Sequence, residues 1–154
     1  GDDGDKIDTA GTPDDLPRLL PDADFIALSL PGCPDTEALL GEREFELMKP
    51  GVHIVNVGRG TAIDERALLR ALESGKDGGA GLDVWWQYPE SPEDRSNTPP
   101  SRFRFEKFDN VVMSPHRASH VRGRESLRNE RLAAIIDSAV AGNPVNVVDP
   151  NLGY

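Results

Sequence analysis

Phe25-Ile26-Ala27-Leu28-Ser29-Leu30 is a nearly unbroken apolar run that stops at Pro31-Gly32. A short run without polar alternation suits a strand covered on both faces, as in a parallel sheet. Downstream, His53-Ile54-Val55-Asn56-Val57 is β-branched and closes on Gly58-Arg59-Gly60. Ala80 to Trp85 reads as a third strand and Asn110 to Ser114 as a fourth. Helical segments fall between them. Thr12-Pro13-Asp14-Asp15 starts a short one, with Thr12 as cap and Pro13 at the first helical position, and Pro21 ends it. Thr36 to Met48 predicts a second, stopped at Lys49-Pro50-Gly51. Asp64-Glu65 opens a third, with Leu68, Ala71 and Leu72 on one face and Gly75 past its end. His120 to Ala141 predicts the last, with Leu132, Ile135, Ile136, Ala139 and Val140 at helical spacing. The alternation predicts an α/β fold: a Rossmann-like, mostly parallel sheet with flanking helices.

A chain of 154 residues holds one medium domain. Residues 12–141 are expected to form it, with 1–11 a loop or frayed segment (at most a short strand around Ile7) and 142–154 a C-terminal extension. Residues 86–109 are rich in Pro, Glu, Ser and Arg, a connection long enough to be functional or mobile. Lys and Arg number 17 against 27 Asp and Glu, a formal charge of −10. So acidic a surface repels phosphate backbones and anionic head groups, which argues against nucleic-acid and membrane partners. The single cysteine, Cys33, excludes an internal disulfide framework and a Cys-based zinc cluster, so no metal is expected and the cytoplasm is the expected compartment.

In a doubly wound sheet, chemistry gathers at the carboxyl ends of the strands. Arg59 sits at one such end between two glycines, where its fork of donors suits a carboxylate; the alternative is a pair with a surface acid. Gly58-Arg59-Gly60 imitates the start of a dinucleotide fingerprint, but Ile63 occupies the third glycine position, and Gly-x-Gly-x-x-Gly occurs nowhere in the chain. Asp83 ends a strand as either an acceptor for a ligand amide or hydroxyl, or a cap for the following turn. His116 ends another, where an imidazole can move protons or serve only as an exposed side chain. What favours chemistry is the convergence of an Arg, an Asp and a His on different strand ends of one sheet. The basic stretch from His116 through Arg131 reads as an anion site or as the solvated face of the last helix.

The same positions carry a family pattern. Leu30-Pro31-Gly32-Cys33-Pro34-Asp35-Thr36, Met48-Lys49-Pro50-Gly51 with Val55-Asn56-Val57-Gly58-Arg59-Gly60, Gly79-Ala80-Gly81-Leu82-Asp83-Val84-Trp85 and Asn110-Val111-Val112-Met113-Ser114-Pro115-His116 follow in order. Together they resemble the NAD-binding domain of the D-isomer-specific 2-hydroxyacid dehydrogenases. The resemblance implies an oxidoreductase moving a hydride between NAD or NADP and a small 2-hydroxy or 2-oxo acid, and a homodimer is expected. It implies that Arg59 binds the substrate carboxylate and that His116 is the general acid/base. It also implies that Asp83, helped by Val57 and Gly58, holds the nicotinamide carboxamide, with Pro31 and Thr36 on the adenosine and pyrophosphate side. Two departures stand out. Tyr88 occupies the place of the family's usual glutamate, where a phenol can orient an imidazole but cannot supply charge. Ser119 replaces a glycine usual after the Pro-His pair, beside the nicotinamide pocket. By the same resemblance the first mononucleotide-binding half is absent from these residues, so the fold is expected to be incomplete and the 154-residue chain alone to be inactive. A second expectation is a nucleotide-sensing or partner-binding protein that kept the scaffold with weakened catalysis.

Overall fold

The computed structural model describes residues 7–150. Its sheet is wholly parallel, in chain order: β1 (Phe25–Leu28), β2 (Val52–Asn56), β3 (Asp77–Leu82) and β4 (Val111–Met113). The α-helices are α1 (Leu16–Leu19), α2 (Glu42–Leu47), α3 (Glu65–Glu73) and α4 (Arg124–Val140). Register aligns Ala27 with Val55, Val55 with Gly81 and Gly81 with Val112, so all four strands end along one rim. The core lies on one side of the sheet, where Val52, Ile54, Ala80 and Leu82 meet Phe45, Met48, Leu68 and Leu72. Helix α3 is the best-defined contributor. Asp64 accepts the Ala67 amide at 2.7 Å to start it, Ala67, Leu68, Ala71 and Leu72 bury one face, and Gly75 at φ 70° ends it.

The apolar run of β1 is not covered on both faces: Phe25 is 75% exposed. Strand β2 alternates buried and exposed residues, which marks a sheet covered on one side. Among the described residues strand β1 is also an edge of the sheet, and α4, whose apolar residues fall at helical spacing, has no buried residue.

Element boundaries differ for local reasons. The helix expected over Thr36 to Met48 is a 3-10 turn at Pro34–Thr36 followed by α2. Thr36 closes that turn by donating to the Pro31 carbonyl at 2.7 Å, and Ala38 then takes φ 49°, which no continuous helix allows. Strand β3 starts at Asp77 rather than Ala80. Gly78 and Gly79 belong to the strand, Gly79 pairing with His53, and glycine is needed at both because a Cβ there would meet the backbone carbonyls of Gly51 and Asn110. Helix α4 starts at Arg124, after Gly123 at φ 78°, rather than at His120. The opening helix runs from a 3-10 turn at Pro13–Asp15 through α1 into a second 3-10 turn at Leu20–Asp22. Residues 7–11 form neither helix nor strand, and the expectations for residues 1–6 and 151–154 lie outside the described residues.

The long connection at 86–109 is pinned rather than loose. Buried Glu65 accepts the Ser101 hydroxyl at 2.6 Å, the Arg102 amide at 2.8 Å and the Arg102 Nε at 2.9 Å. Trp86 donates its indole N–H to the Ile63 carbonyl at 2.8 Å and stacks on fully buried Phe105.

Candidate active site

Parallel strands bring Arg59 after β2, Asp83 after β3 and His116 after β4 to the same rim. Each is held differently. Arg59 leaves β2 on a turn that Asn56 fixes from inside: its Nδ2 donates to the Arg59 carbonyl at 2.8 Å and its Oδ1 accepts the Gly58 amide at 3.1 Å. The flanking glycines are steric necessities. A Cβ at Gly58 would lie 2.5 Å from the Leu30 carbonyl oxygen, and one at Gly60 would lie 2.2 Å from that of Trp85. The Arg59 side chain is exposed, lies beside Gly32, and donates from Nη1 to the Gly58 carbonyl at 2.8 Å. It forms no ion pair among the described residues.

Asp83 is buried and caps a turn other than its own. Its Oδ1 accepts the Ser114 hydroxyl and the Arg117 amide at 2.7 Å, and its Oδ2 accepts the Ala118 amide at 2.9 Å. Burial pushes its carboxyl up, but the Ser114 hydroxyl, the Ala118 and Arg117 amides and nearby His116 outweigh that and hold it below the usual range. His116 sits inside the turn those donors define, with φ 57°. Its Nδ1 lies 3.3 Å from the Tyr88 hydroxyl, which in turn accepts the Trp85 amide at 3.0 Å.

His116 and Tyr88 line a cavity of about 670 Å³ whose other walls include Trp85, Pro89, Pro100 and Met113, with Arg95 and Thr98 from the long connection. Arg59 does not line that cavity. A second hollow, of about 270 Å³, lies on the exposed sheet face over Val55, Val57, Gly81 and Asp83 and reaches Ala118. Pro31 and Thr36 form the turn after β1, with the Thr36 hydroxyl committed to the Pro31 and Cys33 carbonyls. Ser119 is held by the Arg124 guanidinium, which donates to its carbonyl at 2.7 Å and its hydroxyl at 3.0 Å.

The residues fit a dinucleotide's nicotinamide end. The second hollow is lined largely by apolar residues, among them Val55, Val57 and Val112, and Asp83 Oδ2, with one donor bound, keeps acceptor capacity for a carboxamide N–H. Sequence reasoning missed Asn56 and Ser114, which hydrogen-bond the Arg59 turn and the Asp83 carboxylate. An asparagine interrupting the β-branched run was the available signal for the first; a serine beside a proline carries none.

Comparison with known proteins agrees with this architecture. The family model for the D-isomer specific 2-hydroxyacid dehydrogenase NAD-binding domain matches residues 2–118. The chain is 34% identical over 135 residues to a glycerate dehydrogenase of Methylorubrum extorquens, covering 88% of this chain and 41% of that protein. It is 35% identical over 136 residues to a glyoxylate reductase of Thermococcus litoralis, covering 86% of this chain and 38% of that one. A D-isomer specific 2-hydroxyacid dehydrogenase from Xanthobacter autotrophicus Py2, solved in complex with NADPH and MES, superposes with a TM-score of 0.73 at 31% identity. That match covers 92% of this chain and 54% of that one. The chain thus spans about two fifths of the length of these curated relatives. Fold, family model and relatives agree, and the chain belongs to the D-isomer specific 2-hydroxyacid dehydrogenase family.

Proposed function

We propose that this chain carries the nicotinamide-side part of an NAD(P)-dependent oxidoreductase that interconverts a 2-hydroxy acid and a 2-oxo acid. The single observation that carries the reading is His116, at the rim with its Nδ1 3.3 Å from the Tyr88 hydroxyl and the next two backbone amides, of Arg117 and Ala118, donating to Asp83. Val57, Gly58, Asp83 and Ser119 would line the nicotinamide side, and Pro31 and Thr36 the adenosine and pyrophosphate side. NAD or NADP, when bound, supplies the hydride chemistry at C2 of the acid. His116 takes the hydroxyl proton during oxidation and returns it during reduction, the task of a general acid/base near neutral pH. Arg59 swings off the Gly58 carbonyl to bind the substrate carboxylate through its guanidinium, which fixes C2 for transfer. The substrate's remaining atoms occupy the apolar cavity beside His116. A homodimer belongs to the same reading, supported by the apolar sheet face at Phe25, Val55 and Val112. A cytoplasmic setting is supported by the acidic composition and single cysteine.

The test is reduction of glyoxylate and hydroxypyruvate with NADH and NADPH by the protein that contains this chain. His116→Ala is expected to lower kcat by about 10²–10⁴-fold, and Arg59→Ala to raise KM and lower kcat together. Full activity in His116→Ala would sink the proposal. Tyr88, a neutral partner in the place of a carboxylate, favours one second reading: a nucleotide-binding protein without turnover. Nucleotide binding with no reduction of either acid would select it.

A further inference from the structure

We propose that Asp83 is a positioning residue for His116: by clamping the turn from Ser114 to Ala118, it holds the histidine in a left-handed backbone conformation that presents Nδ1 to the Tyr88 hydroxyl and selects the Nε2–H tautomer. The catalytic consequence rests on the function proposed above; the clamp itself does not.

The backbone half of the argument starts from His116 at φ 57°, a conformation that side-chain-bearing residues adopt only when their surroundings impose it. The three donors to Asp83 flank His116 on both sides, with the Ser114 hydroxyl before it and the Arg117 and Ala118 amides after it. His116 is the left-handed residue within the turn that brings all three donors to one carboxylate. Trp85 ties the same turn a second time, donating from its indole to the Ser114 carbonyl at 3.0 Å. The side-chain half follows from proton count. The Trp85 amide can only donate, so at 3.0 Å it uses the Tyr88 oxygen as an acceptor. The phenolic proton is then free for the imidazole, whose Nδ1 lies 3.3 Å away. A neutral imidazole that accepts at Nδ1 carries its proton on Nε2. Carboxylate, turn, imidazole and phenol thus form one chain of contacts, in which loss of Asp83 releases the ring as well as the backbone.

The test uses the 154-residue chain labelled with ¹⁵N at histidine and at backbone amides, observed by NMR at a pH where imidazoles are neutral; His116→Gln assigns the signal. In the wild type, Nδ1 is expected in the unprotonated range and Nε2 in the protonated one. Tyr88→Phe and Asp83→Asn are both expected to move His116 toward a mixed tautomer. Asp83→Asn is also expected to raise hydrogen exchange at Arg117 and Ala118 by at least about tenfold, leaving the Ala67 amide unchanged as a control for the fold. Ser114→Ala removes one donor of three, so it gives a smaller change in the same direction and serves if Asp83→Asn fails to fold. A dominant Nδ1–H form in the wild type overturns the proposal. So does an Asp83→Asn variant whose turn amides exchange freely while the tautomer stays as in the wild type. Turnover does not enter these readings, so absence of dehydrogenase activity would remove the functional reading and leave the clamp standing.

Discussion

At the scale of single residues, the two buried aspartates of β3 and its end have opposite fates. Asp77 is buried with neither carboxylate oxygen hydrogen-bonded among the described residues. Burial pushes its pKa up to about 6, with Lys76 and His53 pulling weakly the other way. A folded-state value above the unfolded one means the folded chain binds the proton more tightly, so stability falls as pH rises from about 4 through about 6. Asp77→Asn is therefore expected to stabilise the protein at pH 7–8 by on the order of 2 kcal/mol, after allowance for solvent screening, and to do nothing at pH 4. Thermal unfolding of both chains across that range checks it, and an equal gain at both ends would count against the account. Asp83 has the opposite sign: held low by its three donors, it stabilises above the usual carboxylate range and loses that contribution as pH falls through its folded value. Asp83→Asn is expected to lose stability near neutrality and to converge with the wild type in acid, read from the same melts. Position along the chain showed that Arg59, Asp83 and His116 end strands. It carried no sign of which carboxylate would find donors, because those donors come from residues 31 to 35 positions away.

At the scale of elements, the turn after β2 and the connection before β4 hold the rim in shape. Gly60→Ala puts a methyl against the Trp85 carbonyl and is expected to cost about 1–3 kcal/mol. A denaturant midpoint indistinguishable from the wild type would refute the close approach. Glu65 reaches from the first turn of α3 to Ser101 and Arg102, so Glu65→Ala strands a buried hydroxyl and an amide. It is expected to lose about 1–3 kcal/mol and to open residues 86–109 to proteolysis. Helix α3 was legible because its cap, apolar face and terminating glycine lie within a dozen residues of one another. The break between Thr36 and α2 was not, since it depends on a side chain closing onto Pro31. Nor was the start of β3 at Asp77, where Gly78 and Gly79 are needed because neighbouring backbone leaves no room for a Cβ.

At the scale of the whole molecule, one sheet face is packed and the other displays Phe25, Val55, Val57 and Val112. On a chain of net charge −10, like-charge repulsion opposes the pairing of such apolar faces, and salt screens that repulsion. The 154-residue chain is therefore expected to self-associate as ionic strength rises, and Val112→Lys to suppress this; sedimentation unaffected by salt would contradict it. The run at Phe25 suggested cover on both sides, and the structure covers one. Hydrophobicity records which residues avoid water but not which element arrives to shield them. Order of strands and helices, the parallel sheet and the rim that gathers Arg59, Asp83 and His116 all follow from local periodicity, because a right-handed strand-helix-strand unit leaves few alternatives. Folding in three dimensions alone placed Asp83 on the far turn, turned His116 left-handed toward Tyr88, and kept Arg59 out of their cavity, since each depends on side chains meeting across long stretches of chain.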